Sequence, residues 1–413
     1  MKAIIITIGD ELLIGQVVNT NASFIAGRLN STGIEVARML TVADRYEDIV
    51  RAFEEGYGGH DVIIVTGGLG PTHDDVTRKA VCGFFGTELV PNAEARSNVE
   101  RFLARRRQPW SDAAENQTLI PRISSPIPNF SGTAPGELIE KDGKVFIVMP
   151  GVPGEMEGMM KNFVVPFFAG RGPSRRILHR TLKTTGIPES VLADKLRGIE
   201  AMLGNDTLAY LPSPTGVRLR ISVIRPSQEE CELRADELEN FIRERTGKFI
   251  YATGEEELEE SLGRLLTERH LTIAVAESCT GGMIAHKLTN ISGSSNYFER
   301  GVVVYSNESK TALPGVSLSV IAEHGAVSEE TAIALAKGVR ESAGTSIGLS
   351  TTGIAGPTGG TADKPVGLVW IGYADEKSSF ALKFYLGEER LRIKERAAQA
   401  AMELVRRKIL RVE

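Results

Sequence analysis

Four segments of this chain, three of them in its last third, put chemically useful side chains at the ends of apolar runs. In Ala276-Glu277-Ser278-Cys279-Thr280-Gly281-Gly282, small residues stand where a strand-like run gives way to a helical pattern. Main-chain N–H groups at such a helix start point outward and hold a carboxylate, a phosphate or a developing oxyanion. Ser278 therefore has donors beside it, although the plainer reading is that Ser278 or Thr280 caps the helix. Tyr305-Ser306-Asn307-Glu308-Ser309-Lys310 brings two proton-transfer side chains to the end of a second run, where α/β sites are built. Thr351-Thr352-Gly353-Ile354-Ala355-Gly356 opens a glycine-rich loop at the end of a third, and lets backbone approach a ligand closely. Near the N-terminus, Thr66-Gly67-Gly68-Leu69-Gly70 precedes Asp74-Asp75. Gly67, Gly68 and Gly70 allow a phosphate cradle, and carboxylates beside one make sense only with a cation between them. The competing reading is structural glycines with Asp74 or Asp75 capping the next helix.

The elements that must carry these segments follow from periodicity. Residues 3–8, 62–66 and 145–149 read as strands, and residues 21–29 and 49–56 as helices, which argues for a mainly parallel sheet covered on both faces. The stretch Ala169-Gly170-Arg171-Gly172-Pro173-Ser174 is the clearest linker. Residues 177–251 read as a small α+β unit with an alternating strand over 218–223 and a charged helix over 229–246. The acidic run at Glu255, Glu256, Glu257, Glu259 and Glu260 is expected to start a helix rather than bind anything. Residues 271–276, 301–305, 346–351 and 367–373 are further strands, and residues 392–412 form a closing amphipathic helix.

With 413 residues, two or three domains are expected. Hydrophobic residues at 42% and charged residues at 24% match folded domains and exclude wholesale disorder. A net charge of −5 leaves no footprint for a dedicated nucleic-acid protein, so Arg105-Arg106-Arg107 and Arg175-Arg176 read as solvated surface. Cys82, Cys231 and Cys279 are widely spaced, which suggests neither a disulfide framework nor a thiolate zinc site. No long apolar run or leader pattern occurs, so a cytoplasmic protein with no membrane partner is expected.

Two resemblances sharpen this reading. AESCTGG, GSSNYFERGVVVYSNESK, HGAVSEE and TTGIAGPTGG resemble the C-terminal domain of the CinA family, the nicotinamide mononucleotide amidohydrolases. The resemblance implies a serine nucleophile at Ser278, a tyrosine at Tyr305 and a lysine at Lys310, yielding nicotinate mononucleotide and ammonia without a cofactor. Such a lysine can act as base only if burial or a neighbouring cation depresses its pKa. Thr280, Gly281 and Gly282 would supply oxyanion donors, and Thr351, Thr352 and Gly353 would hold the nucleotide, with Arg390 or Arg396 on its phosphate. Cys279 is the rival nucleophile, without an evident histidine partner.

GDELLIGQVVNTN, VADR, TGGLGPTHDDVTRKA, GTAPG and PGVPGEM resemble the molybdopterin-binding fold at the N-terminus of full-length CinA proteins. That resemblance implies a metal-dependent ADP-ribose pyrophosphatase, with a divalent metal ion at Asp44, Asp74 and Asp75 and phosphate at Gly67, Gly68 and Gly70. Pterin handling is the rival there. The middle unit is similar to the family's KH-like domain but lacks the GxxG loop that clamps RNA, Gly186-Ile187-Pro188-Glu189 having no second glycine. The expected fold class is thus α/β: a molybdopterin-binding-like three-layer domain (1–170), a small α+β KH-like domain (175–252) and an α/β amidohydrolase domain (255–413). Small-molecule nucleotides are the expected partners, and family analogy implies a homodimer. The rival of another class is a non-enzymatic binding protein of competence or DNA damage.

Overall fold

The computed structural model describes residues 1–70, 76–169, 171, 175–313 and 315–412. Asp74 and Asp75 lie outside the described residues, as does most of the glycine-rich linker. The chain divides into two compact units, Met1–Leu178 with Ile224–Leu233, and His179–Val223 with Arg234–Glu413.

In the first unit, Lys2–Ile8 and Val62–Thr66 are apolar and covered on both faces, as central parallel strands must be. The sheet order is Glu35–Val42, Lys2–Ile8, Val62–Thr66, Lys144–Met149, Gly136–Lys141, Ser125–Ile127. The first four strands are parallel and the last two antiparallel. One face packs on helices Thr20–Ser31 and Pro153–Met159, with Ile25, Leu29 and Met156 buried. The other packs on Tyr46–Gly59 and Thr77–Phe85 through Phe53, Ala80 and Val81. These are the three expected layers. Glu35–Val42, absent from the sequence reading, is an edge strand whose EVARMLTV is covered only in part. It therefore carries no continuous apolar run.

A four-stranded sheet, most of whose residues belong to the second unit, runs Thr207–Ser213, Gly216–Arg225, Arg176–Thr184, Ile250–Thr253. The hairpin partner Thr207–Ser213 is an addition to the expected strands. Lys183, 3% exposed, donates to the Glu255 carbonyl at 2.9 Å and pairs with the Glu257 carboxylate at 2.6 Å. The acidic run starts a helix as expected: Glu257 and Glu260 form a reciprocal capping box on Leu258–Glu268.

The sheet that follows has the order Phe298–Val303, Ile273–Glu277, Ile347–Gly353, Leu368–Ala374, Ser379–Tyr385. Its first three strands are parallel and its last two antiparallel. Helices Leu258–Glu268, Met283–Thr289 and Arg390–Leu410 cover one face through Leu262, Ile284, Ala397 and Met402. Helices Leu318–His324 and Glu329–Ala343 cover the other through Ile321, Leu335 and Val339. Two glycines set how closely Glu329–Ala343 lies on its sheet. A Cβ at Gly348 would stand 2.0 Å from the Ala336 carbonyl oxygen, and one at Gly372 2.2 Å from that of Ala332. Both obstacles are backbone, so the helix itself would have to move. Gly348→Ala is expected to destabilise the chain by about 1–3 kcal/mol in urea unfolding, with secondary structure retained. A change under about 0.5 kcal/mol would show that the helix is not seated by this contact.

Candidate active site

Ser278 stands immediately beyond the carboxyl end of Ile273–Glu277. The neighbouring strand and the preceding residue pin it: Ser278 N–H donates to the Thr351 carbonyl at 3.0 Å, and Val304 N–H to the Glu277 carbonyl at 2.8 Å. The Glu277 carboxylate, 1% exposed, accepts from the N–H groups of Ile284 and Ala285 at 3.1 and 2.8 Å. The first turn of Met283–Thr289 is thus capped by Glu277. This corrects the plainer reading of the sequence, because neither Ser278 nor Thr280 caps the helix. The physical reason is reach. The chain arches between strand and helix through left-handed Gly281 and Gly282 (φ 61° and 90°), which folds the glutamate under the helix and the serine away from it.

A cleft of about 330 Å³ opens at these strand ends. Its lining includes Ser278, Tyr305, Lys310, Thr352, Gly353 and Arg390. Thr280, Gly281, Gly282 and Thr351, expected to bind substrate, do not line it. Strand alternation turns Thr351 away from Thr352, and its hydroxyl lies 2.7 Å from that of the fully buried Thr280. Gly281 faces outward, and its N–H bonds the Ser278 carbonyl at 3.2 Å.

Lys310 ends the short helix Asn307–Lys310, which Ser306 caps through the Ser309 N–H. Although charged in water, it is 2% exposed. Its Nζ donates to the carbonyls of Tyr305 at 3.2 Å and Ser306 at 3.5 Å rather than to Ser278. Burial pushes its ammonium below the ordinary lysine range, against a smaller opposing pull from Cys279. The Ser278 side chain is itself buried, and its hydroxyl makes no hydrogen bond among the described residues. Cys279 also lines the cleft, but burial pushes its thiol up to about 12, which keeps it protonated at neutral pH.

Tyr305 is 58% exposed, and its hydroxyl accepts from Arg390 at 2.8 Å. Arg390 also donates to the Gly356 carbonyl at 2.7 Å, joining the tyrosine loop to the glycine-rich loop. Arg396 does not line this cleft; its Nε and Nη1 donate to the carbonyls of Pro214 and Leu386. Sequence reasoning gave no role to Asn307, Ala326 or Val327, which complete the wall. The last two come from the loop before Glu329–Ala343, where Thr352 donates to the Ala326 carbonyl at 2.6 Å. The strand expected over 301–305 runs Phe298–Val303 instead, which leaves Tyr305 in the loop.

In the first unit, a Cβ at Gly67 would lie 2.1 Å from the Ile8 carbonyl oxygen, and one at Gly68 2.1 Å from Thr77 Oγ1. Both have left-handed φ, 114° and 64°. Only glycine fits this turn. The same turn approaches Asp44, whose Oδ1 is 3.6 Å from the built Gly68 Cβ. Asp44 accepts from the Asp10 N–H at 3.0 Å and its own N–H donates to Asp10 at 3.4 Å. Nearby strand ends line a cavity of about 240 Å³ that includes Asn19, Asn21 and Gly151. Asn21 donates to the Gly151 carbonyl at 2.7 Å, and its buried Oδ1 has no partner among the described residues. Carboxylates facing a glycine turn are the oxygen donors a hard divalent cation takes. No group of three metal-binding side chains occurs among the described residues, and Asp74 and Asp75 lie outside them.

Comparison with known proteins covers nearly the whole chain. Residues 4–170 match the model of a probable molybdopterin binding domain, residues 179–252 that of the damage-inducible protein CinA KH domain, and residues 255–409 that of the CinA C-terminal domain. A CinA-like protein of Salinibacter ruber is 45% identical over 409 residues, covering 98% of this chain and 99% of the relative. One of Chloroherpeton thalassium is 46% identical over 415 residues, covering 98% and 99%. Among solved structures, the competence/damage inducible protein CihA from Agrobacterium tumefaciens is 35% identical across 36% of this chain and 94% of that one, with a TM-score of 0.35. No described helix is long and apolar enough to cross a membrane. Identity at this level across nearly the full length of both chains makes this protein a member of the CinA family.

Proposed function

We propose that the C-terminal domain hydrolyses the carboxamide of nicotinamide mononucleotide. The observation that carries this reading is Lys310: an amine 2% exposed, pushed toward its neutral form by burial, in one cleft with an unengaged serine hydroxyl. Ser278 Oγ attacks the carboxamide carbon as its proton passes to Lys310 Nζ. The tetrahedral oxyanion accepts from the main-chain N–H of Cys279, the arch residue that lines the cleft beside Ser278. Collapse expels ammonia, with Lys310 or Tyr305 delivering the proton to the leaving nitrogen. Water then cleaves the Ser278 ester and releases nicotinate mononucleotide. Thr352, Gly353 and Arg390 lie along the cleft where the nucleotide would extend.

For the N-terminal domain the reading is a metal-dependent ADP-ribose pyrophosphatase, favoured by the glycine turn facing Asp44. Asp44 with Asp74 and Asp75 would hold the divalent ion, and Gly67, Gly68 and Gly70 the pyrophosphate. When bound, the ion supplies charge neutralisation on phosphate oxygens. Asp44→Asn is expected to lower ADP-ribose hydrolysis by roughly a hundredfold while ammonia release from nicotinamide mononucleotide stays within twofold.

The deciding experiment assays the full chain against both compounds, with added divalent metal and with chelator. Ammonia release that survives chelation supports the amidohydrolase. No release from any preparation would end it in favour of a binding role.

A further inference from the structure

The cavity that this function leaves unused lies elsewhere in the second unit. It holds about 360 Å³, the size of small-molecule sites, and is walled mainly by apolar groups such as Phe384, Leu386, Ala400 and Leu404. The turns at Thr185-Gly186 and Pro214-Thr215 close it from the side of the four-stranded sheet.

Its polar groups are few and poorly matched to one another. Glu403, 5% exposed, already has its charge compensated: one oxygen accepts from Arg406 and Arg407 at 2.9 and 2.7 Å, the other from Arg406 at 2.7 Å. Another nitrogen of Arg407, the terminal Nη2, is buried with no hydrogen-bond partner among the described residues. Among the described residues Arg396 donates to the neutral carbonyls of Pro214 and Leu386, each at 3.0 Å, and meets no carboxylate. Gln399 lines the cavity at 5% exposure, and its amide makes no hydrogen bond among the described residues.

Two guanidinium groups, those of Arg396 and Arg407, thus stand with one carboxylate around an apolar chamber that also holds the unengaged Gln399 amide and a buried Arg407 donor with no partner among the described residues. Leaving such a donor buried and unmatched is costly, and an occupant that pairs it removes the cost. We propose that this cavity is a binding site for a small organic acid, with the carboxylate on Arg407 and Arg396, a hydrogen bond to Gln399 and a flat apolar body against Phe384 and Leu404. A planar guanidinium suits a carboxylate better than a spherical anion, and the chamber suits a ring better than a sugar. The site is separate from the Ser278 cleft, sharing none of its lining.

The probes are naphthalene-2-carboxylate and the uncharged naphthalene-2-carboxamide, titrated into the full chain by calorimetry. The acid is expected to bind with Kd below about 1 mM and at least about tenfold more tightly than the amide. Arg407→Leu is expected to remove that preference. Ala400→Phe, which fills the chamber from a helix position, is expected to abolish binding of both probes while leaving the thermal midpoint within about 4 °C of the parent. Ser278→Ala is expected to bind the acid as the parent does, which separates this site from the cleft. Absence of saturable binding below roughly 5 mM, equal affinity for acid and amide, or unchanged binding in Ala400→Phe would overturn the proposal.

Discussion

Ser278→Ala is expected to lower kcat for ammonia release from nicotinamide mononucleotide by roughly a thousandfold to ten-thousandfold, with KM within about threefold of the parent. The expectation separates chemistry from binding. The hydroxyl makes no hydrogen bond among the described residues, so removing it leaves no orphaned partner and costs little stability. The arch that would hold the oxyanion is fixed by backbone bonds and by the Glu277 cap, all of which survive. Single-turnover ammonia release together with thermal unfolding is the measurement. A loss of under about tenfold would remove the serine from the reaction, since general binding and oxyanion effects alone account for what remains after a nucleophile is lost. Cys279 could not then simply take over, because its thiol is held up to about 12 by burial.

The second large effect belongs to Lys310→Met, for which opposite signs are expected in activity and stability. Loss of the base is expected to reduce kcat by about two to four powers of ten. In the parent, activity is expected to rise with pH as Lys310 sheds its proton, through a midpoint below the ordinary value of 10.5, and to fall as pH drops beneath it. The methionine variant lacks that limb. For stability, the unfolded lysine keeps its proton to about pH 10.4, while the folded one releases it at lower pH. Between the two values the unfolded state binds more protons, so folding stability rises with pH. At and below the folded value the burial penalty is present in full. Methionine removes that penalty, so the variant is expected to unfold at a higher temperature than the parent at pH 7, and the gap is expected to close as pH approaches 10.5. Paired melts at pH 7 and pH 10 check this. A variant that melts lower than the parent at pH 7 would mean that the bonds from Nζ to the carbonyls of Tyr305 and Ser306 outweigh the desolvation of the amine.

How much of this was legible in the sequence depends on what each residue had to signal. Strands buried on both faces announce themselves, because IIITI and VIIVT can only be covered on both sides. Edge strands such as Glu35–Val42 and Ser379–Tyr385 do not, because half their side chains meet water and pattern them like loops. Ser278, Tyr305 and Lys310 were legible as ends of apolar runs, and the structure gathers them into one cleft. Their immediate neighbours were not. Whether Thr351 or Thr352 faces the cleft turns on a single step of strand parity, and the sequence does not fix where Ile347–Gly353 enters its register. The role of Glu277 was hidden for a similar reason. An acidic residue ahead of a serine and a glycine pair gives no sign that its carboxylate will fold beneath the next helix, so the cap was assigned to the residues that statistics favour.

The reversal of strand direction after Ile347–Gly353 carries one more implication. Because Leu368–Ala374 runs back alongside it, the connection over residues 354–367 starts at the strand end where the cleft lies, and Ile354, Ala355, Gly356, Thr358 and Gly359 line that cleft. The nucleophile, the amine and the tyrosine all come from other segments. Exchange at the tip of this span, away from the bonds that tie Ile354 and Gly367 to Leu368 and Leu386 and Gly356 to Arg390, is expected to change substrate preference while Ser278 and Lys310 stay where they are. Evolution has been handed a replaceable fitting bolted to a permanent engine.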